Sequence, residues 1–245
     1  MSLANVASTA RRVLAQLRHD PRTVLLVLLV PSVLMTLLRF VYEGRPGVFD
    51  RAGAPLLSLF PLMTMFLVTS IALLRERTTG TLERLLTTPL RKLDLLLGYG
   101  LAFAVLATGQ VAIAFTVSMG LLGLDVQGSK AVFALLCLMV ALLGMGLGLL
   151  ASAFARTEFQ VVQFLPATIV PQLLLCGLLT PREQMNDVLR AVSDVLPMSY
   201  AVDAVHHLSR EPAAGAALWA DIGVVVAFAT VAVLLGAATL RRRTE

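Results

Sequence analysis

Charge is what this 245-residue chain has least of. Only 14% of its residues are Asp, Glu, Lys or Arg, against about a quarter in a soluble domain. Hydrophobic residues make up 58% of the chain and the mean hydropathy is +0.84, which excludes an ordinary water-soluble globule. Cysteine is almost missing too. Cys137 and Cys176 lie far apart inside apolar blocks, so neither a disulfide framework nor a metal site is expected and both read as small packing residues. The three histidines are His19, His206 and His207; the last two are adjacent and point to different helix faces, which argues against a metal pair. The only lysines, Lys92 and Lys130, follow Arg91 and Ser129, so there is no G-x-x-x-x-G-K phosphate loop and the chain is not expected to hydrolyse ATP. H-E-x-x-H and G-x-S-x-G are also absent, which removes metalloprotease-type and esterase-type hydrolysis. No catalytic residue, metal or cofactor is expected in the chain itself.

What is present is a series of apolar blocks near 20 residues long, the length of a helix that crosses about 30 Å of hydrocarbon. They fall near residues 22–42, 54–75, 93–122, 131–154, 159–179 and 215–240. The fold class is therefore all-α, a polytopic membrane protein with six transmembrane helices. The first apolar run is too long for a cleaved signal peptide and is expected to remain as an anchor. Arg39 and Asp94 sit near block ends, within snorkelling reach of an interface. No ionisable residue lies near the centre of a block, which counts against ion-coupled carriage.

Basic residues near span ends mark the cytoplasmic side. With the N-terminus inside, that side holds Arg11, Arg12, Arg18, Arg22, Arg75, Arg77, Arg84, Arg91, Lys92, Arg156 and Arg241 to Arg243, while the outer segments are richer in acids. Six spans return the C-terminus to the same side, so both termini are expected in the cytoplasm of a cell whose inner membrane carries the protein. Residues 1–21 put Leu3, Val6, Ala10, Val13, Leu14 and Leu17 on one helical face and Arg11, Arg12, Arg18 and His19 on another, the pattern of an amphipathic interfacial elbow ahead of the first span. The alternative is a helix packed on a partner domain. Residues 22–245 then form one transmembrane domain.

Segment 180–213 is too charged to span. Thr180 as N-cap, Pro181 at the first position and Glu183 three residues after the cap signal a helix start. Met185, Val188, Leu189, Val192 and Val195 continue it, Pro197 breaks it, and Tyr200, Ala201, Ala204, Val205 and Leu208 form a second stripe. Two helices of about 12 to 15 residues reach only about 20 Å. They read as an external re-entrant hairpin, or as an ordinary external one.

Uncharged polar residues at depth are Thr64, Thr69, Gln110, Gln163 and Gln172, with Pro166 and Pro171 interrupting the fifth block. Thr64, Thr69, Gln110, Gln163, Pro166 and Gln172 are candidates for a substrate path, or equally for interhelical contacts, as are Gly144, Gly146 and Gly148. The loop 76–92 is the most patterned stretch. Gly80 reads as an N-cap with Glu83 at its third position, Leu82, Leu85 and Leu86 form one apolar face, and Pro89 ends the helix.

The run E-R-x-x-G-T-L-E-x-L-x-x-T-P, from Glu76 to Pro89, resembles the signature of the type-2 ABC transporter permease family, most closely its daunorubicin-resistance type drug-efflux members. A second family-like stretch, 173–205, runs through G-x-x-x-P into an L-P-x-x-Y step. The resemblance implies that Glu76, Arg77, Gly80, Thr81, Leu82, Glu83, Leu85, Leu86 and Pro89 form a coupling helix for a separate ATPase. It further implies two ATPase copies carrying ATP and Mg, a second permease copy or paralogue, and export of an amphipathic or lipid-like compound such as a drug. The lipid bilayer is the other partner, and no nucleic acid is expected. A secondary carrier or a non-transporting accessory or immunity protein would share the architecture.

Overall fold

A computed structural model describes residues 3–81, 92–210 and 214–239. The described residues form nine α-helices, here α1 (Leu3–His19), α2 (Pro21–Val41), α3 (Pro46–Thr78), α4 (Lys92–Phe115), α5 (Lys130–Ala151), α6 (Glu158–Leu175), α7 (Asp187–Ser193), α8 (Pro197–Arg210) and α9 (Ala216–Ala238). Six helices are long and apolar enough to cross a membrane: α2, α3, α4 with the π-helical turn Thr116–Leu121 that extends it, α5, α6 and α9. All six expected spans are there.

Local chemistry sets most of the ends. The Asp20 carboxylate accepts from the Thr23 amide at 3.2 Å and the Thr23 hydroxyl at 2.7 Å, and Pro21 occupies the first turn, so the chain breaks between α1 and α2. Thr157 caps α6 by accepting from the Gln160 amide at 3.3 Å. The π turn is closed by Gly123, whose φ of +72° favours glycine.

Two boundaries differ from the sequence reading. The second span begins at Pro46 rather than near 54, because Pro46 starts the helix and a four-residue turn with Gly44 at φ +76° replaces the expected loop. Phe49 is buried there with Arg39 stacked 5.5 Å above its ring, and Asp50 accepts from the Asp125 amide at 3.2 Å. At its other end α3 continues to Thr78, so the expected loop 76–92 starts later. Arg39 does not snorkel outward but turns in, its Nε donating to the Leu122 carbonyl at 3.1 Å. Asp94 is likewise buried, at 1% exposure.

The external segment also starts differently. Thr180 caps no helix: after Pro181 comes a single 3-10 turn, Arg182–Gln184, and α7 begins at Asp187 under Asn186, whose side chain accepts from the Val188 amide at 3.0 Å. Arg182 is the cause, since its guanidinium reaches both Asp194 and Asp203 and folds this turn back onto α8. Pro197 opens α8 rather than merely ending what precedes it. The two helices have 7 and 14 residues, and α8 buries Met198, Ala201, Val202, Ala204, Val205 and Leu208.

Helix α5 is the axis of the bundle. In its span 61% of residues are buried, against 22%, 17% and 22% for spans one, five and six. Close approach explains this. A Cβ on Gly144 would lie 2.3 Å from the Leu62 carbonyl oxygen, one on Gly148 2.5 Å from that of Phe66, and one on Gly146 3.1 Å from that of Ala229. The two outer glycines thus face α3 and the middle one faces α9, the small-residue contact expected where apolar solvent gives helices little reason to associate. Replacing Gly144 by Ala forces α3 away. Gly144→Ala should lower the melting temperature of the purified chain in detergent and its monodisperse fraction. Gly223→Ala, with nothing within 4 Å of the new methyl, should leave both unchanged or raise them slightly through better helix propensity of up to about 1 kcal/mol.

Candidate functional site

Consecutive helical residues point about 100° apart, and three residues at the end of α3 use this to reach three different helices. Arg75 grips Glu158 at the start of α6 with two bonds, Nε to Oε1 at 2.6 Å and Nη2 to Oε2 at 3.2 Å. Glu76 accepts from Arg12 Nη1 and Gln16 Nε2 of α1, both at 3.3 Å. Arg77 donates to the Thr239 hydroxyl, beyond the end of α9, at 3.3 Å.

The middle residue is the most enclosed. Glu76 is 8% exposed. Arg12 also donates from Nη2 to the Tyr99 hydroxyl at 2.6 Å and lies 5.6 Å over its ring, so one guanidinium on α1 joins α3 to α4. A second contact holds α1 in place. Thr9 packs where Gly98 has no side chain, at 2.4 Å from a Cβ placed there, and Ala10 and Val13 are buried beside it. The apolar stripe of α1 is therefore spent on the bundle, chiefly on α4, while Arg11, Arg18 and His19 stay exposed. Both ends of the segment that joins α3 to α4 are thus tied to one amphipathic helix. The exposed Arg75–Glu158 pair contributes at most about 1 kcal/mol. The enclosed Glu76 contact matters more, because losing Arg12 strands a buried carboxylate.

Beyond Arg77, α3 stops abruptly. Thr79 returns its amide and its hydroxyl to the Arg75 carbonyl at 2.9 and 2.8 Å, and Gly80 takes φ +71°. Gly80 thus takes a left-handed conformation at the end of α3, where a side chain is strained, and helical backbone resumes directly at Thr81. Thr81 follows, with its hydroxyl 3.0 Å from that of Thr79. Leu82, Glu83, Leu85, Leu86 and Pro89 lie outside the described residues.

The residues expected along a path are not gathered in one cavity. Thr64 and Gln110 meet between spans one, two and three. Pro31 has no amide to donate, which frees the Val27 carbonyl in its own helix, and Gln110 Nε2 donates to that oxygen at 2.8 Å and to the Thr64 hydroxyl. These two residues are interhelical contacts. Thr69 is fully buried. Gln172, 4% exposed, donates to the Thr168 carbonyl of its own helix at 3.0 Å. Gln163 and Pro166 are exposed on α6, the least buried span.

At the opposite end of the bundle, Arg182, Asp203 and Asp194 form the ion-pair cluster noted above, with Arg182 5.7 Å over the Tyr200 ring. His207 Nε2 stands 3.7 Å from Asp221 Oδ2 of α9. A cleft of about 570 Å³ opens between these groups. Burial and the Arg210 charge lower the pKa of His206 on its wall and favour the neutral ring. Sequence reasoning did not single out Arg12, Gln16, Tyr99 or Arg182. Nothing in one sequence separates Arg12 from Arg11 beside it. Asp221 could have been found, as an acid a turn and a half inside the last apolar block.

Six membrane-length helices, one of them close-packed at the centre, with a polar clamp at one end and a charged hairpin at the other, define a polytopic helical membrane protein. Residues 4–208 match the family model described as ABC-2 type transporter, and the chain belongs to that family. It is similar to the probable multidrug ABC transporter permease YbhS of Escherichia coli K12, with 30% identity over 143 residues, 58% of this chain and 38% of that protein. It is also similar to the probable multidrug ABC transporter permease YbhR of the same strain, with 26% identity over 164 residues, 67% of this chain and 45% of that protein. A third relative is the linearmycin resistance permease protein LnrN of Bacillus subtilis 168, with 24% identity over 213 residues, 87% of this chain and 55% of that protein. The chain spans about two fifths to a little over half the length of these relatives.

The clamp is testable without any assay of transport. Arg12→Ala and Glu76→Ala should each destabilise the folded chain by about 1–3 kcal/mol, and the double variant should cost clearly less than their sum because the removed charges are partners. Melting of the four proteins in one detergent measures this; strict additivity would mean that the two side chains do not interact.

Proposed function

We propose that this chain is the membrane-spanning permease subunit of an ATP-driven exporter, working with a separate ATPase present in two copies. The ATPase would carry ATP and Mg. A second copy of the chain, or a paralogue, would complete the pathway for an amphipathic or lipid-like compound such as a drug. In this reading the protein sits in the inner membrane with both termini cytoplasmic, and segment 79–91 docks on the ATPase.

The observation that carries the reading is the three-way clamp at the end of α3, in a chain of the ABC-2 family. A coupling segment has to pass a push from a soluble motor to the membrane helices. It can do so only if the helices it joins do not yield at their ends. Arg75, Glu76 and Arg77 tie the end of α3 to α6, α1 and the end of α9, and Arg12 carries the tie to α4, so a displacement of the loop reaches four helices. The names of the relatives, two probable multidrug permeases and one linearmycin resistance permease, favour export of a drug over an accessory role. A secondary carrier would move cargo without the ATPase.

In the docking face, Leu82, Leu85 and Leu86 are the contact residues and Glu83 the cap. A buried leucine is worth about 2–3 kcal/mol and a cap about 1 kcal/mol. Leu85→Asp with Leu86→Asp should therefore abolish recovery of the ATPase on a tagged permease that still inserts and melts normally, whereas Glu83→Ala should leave recovery largely intact and reduce transport per ATP hydrolysed. The purified chain alone should hydrolyse no ATP. Undiminished recovery with both aspartates would remove the loop as the docking element, and transport by the chain without an ATPase would replace the exporter reading with a carrier.

A further inference from the structure

Between α1, α3 and α4 the clamp leaves a cleft of about 300 Å³. Val13, Leu17, Ala72 and Phe103 make its apolar side, and Asp20 and Glu76 bring carboxylates to it. Tyr99 and Phe103 stack with ring centres 6.4 Å apart, so one wall is aromatic.

Glu76 is only half satisfied. Its Oε1 takes both Arg12 and Gln16, each at 3.3 Å, longer than the roughly 2.7–2.9 Å of a strong charge-assisted bond. Its Oε2 is buried with no hydrogen-bond partner among the described residues. A buried carboxylate oxygen without a donor is costly; of the neighbouring donors, Arg75 is engaged on Glu158 and the second Arg12 nitrogen on Tyr99, which leaves the Tyr99 hydroxyl as the one that turns to Glu76. Charge points the same way. Among the described lining residues Asp20 and Glu76 are the acids and Arg75 is the one cation, already gripped by Glu158. Bonds from Thr23 lower the Asp20 pKa and keep it ionised.

We propose that this cleft binds an amphiphile with a primary ammonium head, the head donating to Glu76 and the apolar part lying along Val13, Leu17, Ala72 and Phe103. The chemistry selects this class. A quaternary ammonium has no N–H to give Oε2, an anion meets two carboxylates, and a neutral alcohol leaves the charge unbalanced. An aromatic wall adds attraction for a cation. The cleft lies at the ends of spans two and three, where a headgroup lies, so two sources share the chemistry: the headgroup of an aminophospholipid in the adjacent leaflet, or a free hydrophobic amine. The proposal does not rest on the chain being an exporter.

The test uses the full chain in vesicles of phosphatidylglycerol mixed with either phosphatidylethanolamine or phosphatidylcholine, with thermal melting as the readout. In the phosphatidylcholine vesicles, octylamine, octyltrimethylammonium and octanol are then titrated. A higher midpoint in phosphatidylethanolamine assigns the site to the lipid headgroup. A midpoint shift by octylamine, half-saturating at a concentration about tenfold or more below that of octyltrimethylammonium, assigns it to free amines; that ratio is what one charge-assisted hydrogen bond is worth. Either preference supports the proposal if Glu76→Gln and Ala72→Trp remove it. Ala72→Trp fills the cleft with every charge kept, so the result does not depend on Glu76→Gln leaving the clamp intact. Equal midpoints in the two lipids together with equal responses to octylamine and octyltrimethylammonium overturn the proposal, as does a preference that survives in both variants.

Discussion

The backbone contact between α3 and α5 is the constraint from which the rest of the structure follows. With Gly144 and Gly148 set directly against the Leu62 and Phe66 carbonyls, the two helices have no side-chain layer between them and cannot slide or roll without collision. A helix of 33 residues held this tightly along its middle fixes where both of its ends lie. One end carries Phe49 and Asp50 into contact with Arg39 and Asp125; the other carries Arg75, Glu76 and Arg77 to three neighbours. A leucine at either glycine would not merely loosen a contact but move both ends.

The two ends are built by different physics. The hairpin end is held by apolar burial along α8, with Arg182, Asp194 and Asp203 adding direction to a surface already docked. At the loop end Ala10, Val13 and Leu74 also bury apolar surface, and polar bonds between long side chains tie the end of α3 to three neighbours. Motion that starts at the loop end therefore meets the polar clamp first and the glycine seam deeper in the bundle. Spans one, five and six, with few buried residues, are the parts whose surfaces face something other than this chain.

The spans were legible because hydrocarbon thickness imposes a length that a sequence has to meet, and each apolar block shows it. Their ends were less so. Pro46 carries the helix signal eight residues before the apolar run becomes dense, and a length argument cannot see a helix that protrudes from the membrane. Thr180 and Asn186 both offer a cap, and only the pull of Arg182 toward Asp194 and Asp203, a contact across 12 and 21 residues, decides for Asn186. The same holds at the clamp. Glu76 and Arg77 stood out by pattern, but their partners lie 64 and 162 residues away, and Gly80, at φ +71°, both ends α3 and directly precedes the helical Thr81. Thr64 and Gln110 were visible as polar residues in apolar blocks, while their purpose depended on a carbonyl freed by a proline in a third helix.

That carbonyl makes Pro31 and Gln110 a matched pair although they belong to different spans. An alanine at 31 would hand the Val27 oxygen back to its own helix and leave the glutamine amide with a single acceptor in a place with no water to replace the other. A leucine at 110 would leave the oxygen itself unpaired. Neither position can drift alone without cost, but the two can be lost together. Descendants of this fold that discard the proline are then free to discard the glutamine, and a designer who straightens span one has to change span three in the same step.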